Sequence, residues 1–289
     1  MLLSGERFDM VVCSHINLLP IAVLATAFAR APLLLLVYGV DAWTPSRSRL
    51  INLLTRRADA VSAISHVTLE RFLAWSGVPR ERCTVLPNAV HLERYGPGPK
   101  SEALLERYGI KGRKVVMTLG RLAVTERKGF DEVLEVMPRL IRKVPELVYL
   151  IAGDGSDRAR LEAKAAALGL QGRVVFTGYV AEPEKADHYR LADAFVMPSH
   201  GEGFGFVFLE AMACGIPVVG SRADGGREAL RDGSLGRLIN PGEPAELEEA
   251  VLTALRTAKR IPEGIKYFSF DNFERRCHRL LAATSTLYG

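Results

Sequence analysis

Short apolar runs of strand length alternate with longer amphipathic stretches along nearly the whole chain. Runs of this kind pack as central strands, and a helix between two of them returns the chain to a parallel neighbour. The pattern therefore predicts an α/β chain of doubly wound parallel sheets with helices on both faces. Strands are expected first at Asp9 to Cys13, Leu33 to Tyr38, Ala60 to Ile64 and Thr84 to Leu86, with helices near Leu18 to Arg30, Arg47 to Arg57 and Val67 to Trp75. A second set is expected at Val115 to Leu119, Val148 to Ile151, Val174 to Phe176, Ala194 to Met197, Val218 to Gly220 and Gly236 to Ile239. Between the sets, Tyr95-Gly96-Pro97-Gly98-Pro99 reads as a semi-rigid linker. With 289 residues the chain has length for two domains. We expect an N-terminal domain over residues 1–98, a C-terminal domain over 112–265, and a last helix within 268–289 packing back on the first.

Charge and cysteine usage narrow the function classes. A formal charge of +5 favours anionic ligands, and no basic run with interleaved aromatics points to nucleic acid. Arg56-Arg57 follows an amphipathic stretch compatible with lipid headgroups, although a solvated helix face explains the pair as well. Cys13, Cys83, Cys214 and Cys277 lack the spacing of a zinc site or a disulfide framework, which fits a reducing cytoplasm. Leu18 to Val40 is apolar, but Arg30 and Pro32 divide it into a helix and a strand, each too short to span a bilayer. Glu6, Arg7 and Asp9 interrupt any signal-peptide layout.

Ligands of open α/β sheets bind beyond the carboxyl ends of the strands, so the residues there are the candidate site. Glu202-Gly203-Phe204-Gly205-Phe206 places a carboxylate in a glycine-punctuated turn, and glycines let backbone amides approach a bound oxygen at a helix start. Phe206 to Gly215 reads as an apolar helix carrying Glu210, closed by Gly215 and Pro217. A carboxylate on such a helix needs a partner, and a ribose diol would serve. Gly120-Arg121 follows one strand and Lys128-Gly129 opens the next helix, placing two cations where a pyrophosphate would sit. Gly153-Asp154-Gly155, Gly178-Tyr179, Ser199-His200-Gly201 and Gly225-Gly226-Arg227-Glu228 follow the remaining strands.

Taken together, these motifs resemble the retaining GT-B glycosyltransferases of family 4, most strongly between Val115 and Pro241. The resemblance implies two Rossmann-like domains facing a cleft, with a nucleotide diphosphate sugar held mainly by the second. It implies that Arg121 and Lys128 neutralise the diphosphate, and that Glu210 binds the ribose. Glu202 would contact the transferred hexose, with Gly203, Phe204, Gly205, Phe206, Gly120 and Tyr179 lining the donor. No metal and no cofactor are implied, and an Asp-x-Asp motif is absent from the sequence. The acceptor would be a glycan or a lipid-linked molecule in polysaccharide biosynthesis, reached from the cytoplasm or the inner membrane face.

The chain departs from the family pattern at two places. Tyr38 stands where the family often carries His, with His15 after the first strand as a candidate substitute. The sequence also opens near a middle strand of the usual first domain, as if about a quarter of a usual chain preceded it. On that reading the first strand has an unpaired edge that favours dimers, and a nucleotide-sugar-binding module without transfer is the alternative function.

Overall fold

Leu33-Leu34-Leu35-Leu36-Val37 is what a strand covered on both faces requires, since alternate side chains point to opposite sides. In the computed structural model, which describes residues 8–285, these residues form the second of four parallel strands. The first unit takes the chain up to Asn88 together with the segment from Phe270. Its strands are β1 (Val11–Cys13), β2 (Leu33–Val37), β3 (Ala60–Ala63) and β4 (Cys83–Val85), lying in that order. Among the described residues β1 pairs only with β2. Residues 1–7 and 286–289 lie outside the described residues.

The apolar stretch after β1 does divide at Arg30. Its helix, Leu19–Ala29, ends where Arg30 turns left-handed at φ 52°, and β2 begins after Pro32. Among the described residues no helix is long and apolar enough to cross a membrane. The helix expected over 47–57 is shorter, Arg49–Leu54, with a 3-10 turn at Thr55–Arg57. The Thr55 hydroxyl lies between the Asn52 and Ser76 carbonyls at 2.7 and 2.9 Å, which ties that turn to the end of the following helix, His66–Ser76.

The second unit, Ala89–Ser269, holds six parallel strands. They are β5 (Lys114–Leu119), β6 (Leu147–Ala152), β7 (Val174–Gly178), β8 (Ala194–Met197), β9 (Val218–Ser221) and β10 (Arg237–Ile239). Their order, β10-β9-β8-β5-β6-β7, reverses direction between β5 and β8. Connections leave these two neighbours toward opposite sides, so a crevice opens beyond their carboxyl ends. Below it, Val116, Tyr149, Ile151 and Val196 pack against Val133, Leu134, Met137 and Leu140 of the helix Phe130–Lys143. The Tyr149 hydroxyl, fully buried in this core, is satisfied by Thr118 Oγ1 at 2.7 Å.

The segment 95–99 packs with this unit. The Tyr95 ring meets Tyr189 edge-on at 6.3 Å between centroids, and Arg190 Nε donates to the Gly96 carbonyl at 2.9 Å. The loops after β5 and β6 touch backbone to backbone. A Cβ on Gly153, at φ +131°, would lie 2.0 Å from the Gly120 carbonyl oxygen, so only glycine fits there.

Candidate active site

The loop between β8 and the helix Phe206–Ala213 is stitched to the loop after β9. Asp224, completely buried, accepts from the Ser199 hydroxyl and the Glu202 amide through Oδ2, both at 2.8 Å, and from the Gly226 amide through Oδ1 at 3.0 Å. Gly225 returns the contact by donating its amide to the Glu202 carbonyl at 2.8 Å. Burial pushes the Asp224 carboxyl up to about 6; the three hydrogen bonds pull against that, and the Glu202 charge adds to it. This clamp fixes the backbone of Glu202 before any ligand arrives.

The Glu202 carboxylate meets the Lys128 ammonium at 2.6 Å, with both side chains more than four-fifths buried. Lys128 therefore does not wave in solvent as a loop charge. It follows Arg127, left-handed at φ 46°, and precedes Gly129, whose φ of 85° caps the helix Phe130–Lys143. A Cβ on Gly129 would come within 2.6 Å of the Pro198 carbonyl, so glycine lets the β5 loop lie against the end of β8. Arg121, the other predicted cation, has a side chain 74% exposed, with its Nε 3.4 Å from Glu126 Oε1. The other Glu126 oxygen is 3.8 Å from the Lys128 ammonium.

Glu210 is placed differently from the sequence reading, which left it a lone acid in need of an outside partner. The Tyr189 hydroxyl donates to its Oε2 at 2.6 Å, and Lys185 Nζ donates to its Oε1 at 3.3 Å. Burial and the Glu210 charge both hold the Tyr189 and Tyr95 hydroxyls protonated, pushing them well above the usual tyrosine range. Lys185 also pairs with Glu182 at 2.7 Å. Glu202 and Glu210 thus start from separate clusters, each with its own lysine. Helical periodicity could not reveal this, because the partners come from the neighbouring helix Lys185–Leu191.

The remaining predicted residues divide by what they can offer. Phe204 has its ring in the core against Phe268, centroids 5.6 Å apart, so only its backbone could face a ligand. Gly205, at φ 96°, is the residue before the helix Phe206–Ala213; its carbonyl accepts the Phe208 amide at 3.1 Å, while the Phe206 and Val207 amides ahead of it have no intrahelical acceptor. Phe206 is half-exposed, and the Tyr179 ring, after β7, is 81% exposed. Gly203 offers its carbonyl to a tight approach: a Cβ on Gly225 would lie 2.1 Å from it. Gly120 lies over the Lys128 stem, with 3.6 Å between its virtual Cβ and Lys128 Cγ.

In the first unit, His15 accepts the Asn17 amide on Nδ1 at 3.1 Å, capping a 3-10 turn, and its Nε2 is 4.0 Å from Asp41. Tyr38 is half-exposed just past β2, and burial with the Asp41 charge raises its hydroxyl above the usual range. Sequence reasoning missed Asp224, Glu126, Lys185 and Tyr189. Of these, only Asp224 carried a visible signal, standing directly before the Gly225-Gly226 pair at a strand end.

Comparison with known proteins bears on this arrangement. A family model described as glycosyl transferases group 1 matches residues 101–264, and one described as glycosyltransferase family 4 matches residues 1–94. A GDP-mannose-dependent alpha-(1-6)-phosphatidylinositol monomannoside mannosyltransferase of Mycolicibacterium smegmatis is 35% identical over 230 residues, 76% of this chain and 59% of that protein. A D-inositol 3-phosphate glycosyltransferase of Geodermatophilus obscurus is 35% identical over 218 residues, 72% of this chain and 48% of that protein. The chain thus spans about half to three-fifths of the length of these curated relatives. Among solved structures, Anabaena HepE in complex with UDP superposes with a TM-score of 0.82 at 25% identity, over 96% of this chain and 79% of that one. Sucrose-phosphate synthase from Thermosynechococcus elongatus, at 20% identity and a TM-score of 0.78, shares the fold.

Proposed function

Because the chain belongs to the glycosyl transferases of group 1, we propose that it moves a hexose from a nucleotide diphosphate sugar to a glycan or lipid-linked acceptor, with retention and without a metal. The observation that carries the reading is the Glu202–Lys128 pair beside Arg121, on the carboxyl edge of a switch-point sheet. Arg121 and Lys128 offset the charge that grows on the diphosphate as the bond from the sugar C1 to the phosphate oxygen breaks. The acceptor oxygen bonds C1 on the same face, and its proton passes to the departing diphosphate oxygen. Glu202 then holds hydroxyls of the hexose, and Glu210 with Tyr189 meets the ribose. The relatives whose names specify GDP-mannose or an inositol acceptor, and the neighbour bound to UDP, support this donor and acceptor class.

A lipid-linked acceptor is supported by the first unit. Ile21, Leu24 and Phe28 of the helix Leu19–Ala29 are each more than half exposed, as are Leu50 and Leu53 of the adjoining helix, ahead of Arg56 and Arg57. The edge of β1 that has no partner strand among the described residues is likewise the proposed surface for self-association.

Thermal unfolding with UDP, GDP, ADP and their sugars tests the donor reading, since a ligand of the folded state raises its melting temperature. At least one nucleotide is expected to do so. Glu210→Ala should lower affinity for the free nucleotide about tenfold or more, the loss of a charge-assisted contact, whereas Glu202→Ala should not lower it and should weaken only the sugar nucleotide. Equal losses of nucleotide affinity in the two variants would contradict these roles.

A further inference from the structure

Four charged side chains converge beyond β5 and β8, and the proposed function uses only three. Arg121 and Lys128 are the cations for the diphosphate, and Glu202 sits on Lys128 at 2.6 Å. The fourth, Glu126, divides its carboxylate between the same two cations. Oε1 faces Arg121 Nε at 3.4 Å, and Oε2 faces Lys128 Nζ at 3.8 Å. One anion with two oxygens on two cations is what a bound phosphate would present there. We infer that Glu126 is a built-in stand-in for the donor diphosphate, bridging both cations and giving way when the nucleotide diphosphate binds; this rests on the proposed donor site.

The geometry favours an occupant that yields. At 3.4 and 3.8 Å the contacts are ion pairs beyond ordinary hydrogen-bond length, whereas the Glu202 pair is well within it. Little directional bonding is therefore lost when Glu126 moves away. Its backbone need not follow. The Glu126 amide donates to the Ala123 carbonyl at 3.0 Å and the His200 amide to the Arg127 carbonyl at 3.0 Å, so the loop stays anchored on both sides. Arg121, three-quarters exposed, can follow an incoming phosphate without breaking a buried contact.

Charge explains what such a stand-in does. With Glu126 and Glu202 in place the two cations are balanced, so Arg121 and Lys128 neither repel each other strongly nor attract stray anions. A ligand must carry enough negative charge, suitably spaced, to replace a carboxylate on both cations at once. A diphosphate does so, and a nucleoside or a monophosphate does less well. Glu126 would thus set a threshold that selects diphosphates and speeds release of the nucleotide diphosphate after transfer.

Calorimetric titration of Glu126→Gln against the unaltered chain tests this, with UDP, GDP, ADP, the parent nucleosides and inorganic pyrophosphate as probes. Gln keeps the shape and removes the charge. The variant should bind a nucleoside diphosphate and pyrophosphate about two- to fivefold more tightly, the scale of one partly exposed ion pair, with nucleoside affinity and the unliganded melting temperature unchanged. Equal or weaker pyrophosphate binding would overturn the inference and make Glu126 a strut that orients Arg121 and Lys128. Tighter pyrophosphate binding with no nucleotide bound by either form would keep the stand-in and defeat the donor reading. Absence of binding by every probe to both forms would defeat both.

Discussion

Lys128→Ala is expected to lower sugar transfer by about 10²–10³-fold, the scale of losing one preorganised group opposite charge that develops in the transition state. The ammonium meets Glu202 at 2.6 Å in a pair that is largely shielded from solvent. On the proposed donor site, its removal would take away a counter-charge for the leaving diphosphate and strand a carboxylate that repels the same diphosphate. Both effects act in one direction, which makes this the largest activity loss expected from one substitution. The initial rate of nucleotide diphosphate release at saturating donor measures it, with the melting temperature as a check that the fold persists. Glu202→Gln in the Lys128→Ala background should regain part of the affinity for the free diphosphate, because the stranded charge is gone. A variant that transfers at the original rate would remove Lys128 from the catalytic set.

Asp224→Ala should give the largest loss of stability, about 3–5 kcal/mol, because a few buried donors are left without an acceptor at about 1–3 kcal/mol each. The Ser199 hydroxyl and the amides of Glu202 and Gly226 all point at that one carboxylate. Asp224→Asn keeps an oxygen for some of these donors and turns an amide nitrogen toward another, so it should cost less. Denaturant unfolding of both variants orders them. The pH dependence gives a second readout. Burial holds the folded carboxyl at about 6, above the unfolded value near 3.8, so its contribution is fully present below about pH 4 and is lost as pH rises through about 6. Over that window stability should fall by about 3 kcal/mol from this group, at about 1.4 kcal/mol per pKa unit, and the slope should be absent in Asp224→Asn. Above pH 6 the ionised carboxylate accepts from all three donors. Below it, the protonated carboxyl is a weaker acceptor, which loosens the grip on the Glu202 amide. Transfer should therefore decline below pH 6 in the unaltered chain with a step that Asp224→Asn lacks. An identical acid limb in both would place that step elsewhere.

The legible part of the site was backbone-led. Gly120-Arg121, Lys128-Gly129 and the glycine turn at Glu202 stand at strand ends because tight turns and helix starts demand glycine, and that demand is local. The strands themselves were readable to within a residue or two, since apolar runs such as Leu147 to Ala152 are buried on both faces. What escaped was pairing between elements far apart in the chain. Glu210 looked partnerless because Tyr189 and Lys185 belong to another helix, and nothing in the spacing of either segment announces the contact. Asp224, ahead of the Gly225-Gly226 pair, drew no reading from the sequence, yet it is the acceptor that holds Glu202 in place. Glu126 stands in a run of three charges, Glu126-Arg127-Lys128, that says nothing of direction, and only the fold of the loop turned its carboxylate toward Arg121 and Lys128.

The sequence by itself determined the two parallel sheets, the family to which the chain belongs, and the positions along the chain where ligand-facing residues could stand. These rest on periodicity and on glycine's freedom, which neighbouring residues impose on one another. Tertiary structure alone decided which charge meets which: Lys128 with Glu202, Lys185 with Glu210, Glu126 between two cations, and Asp224 on the Glu202 amide. Electrostatic pairing depends on distance in space and on how much water is excluded, and both are properties of packed elements rather than of the order of residues.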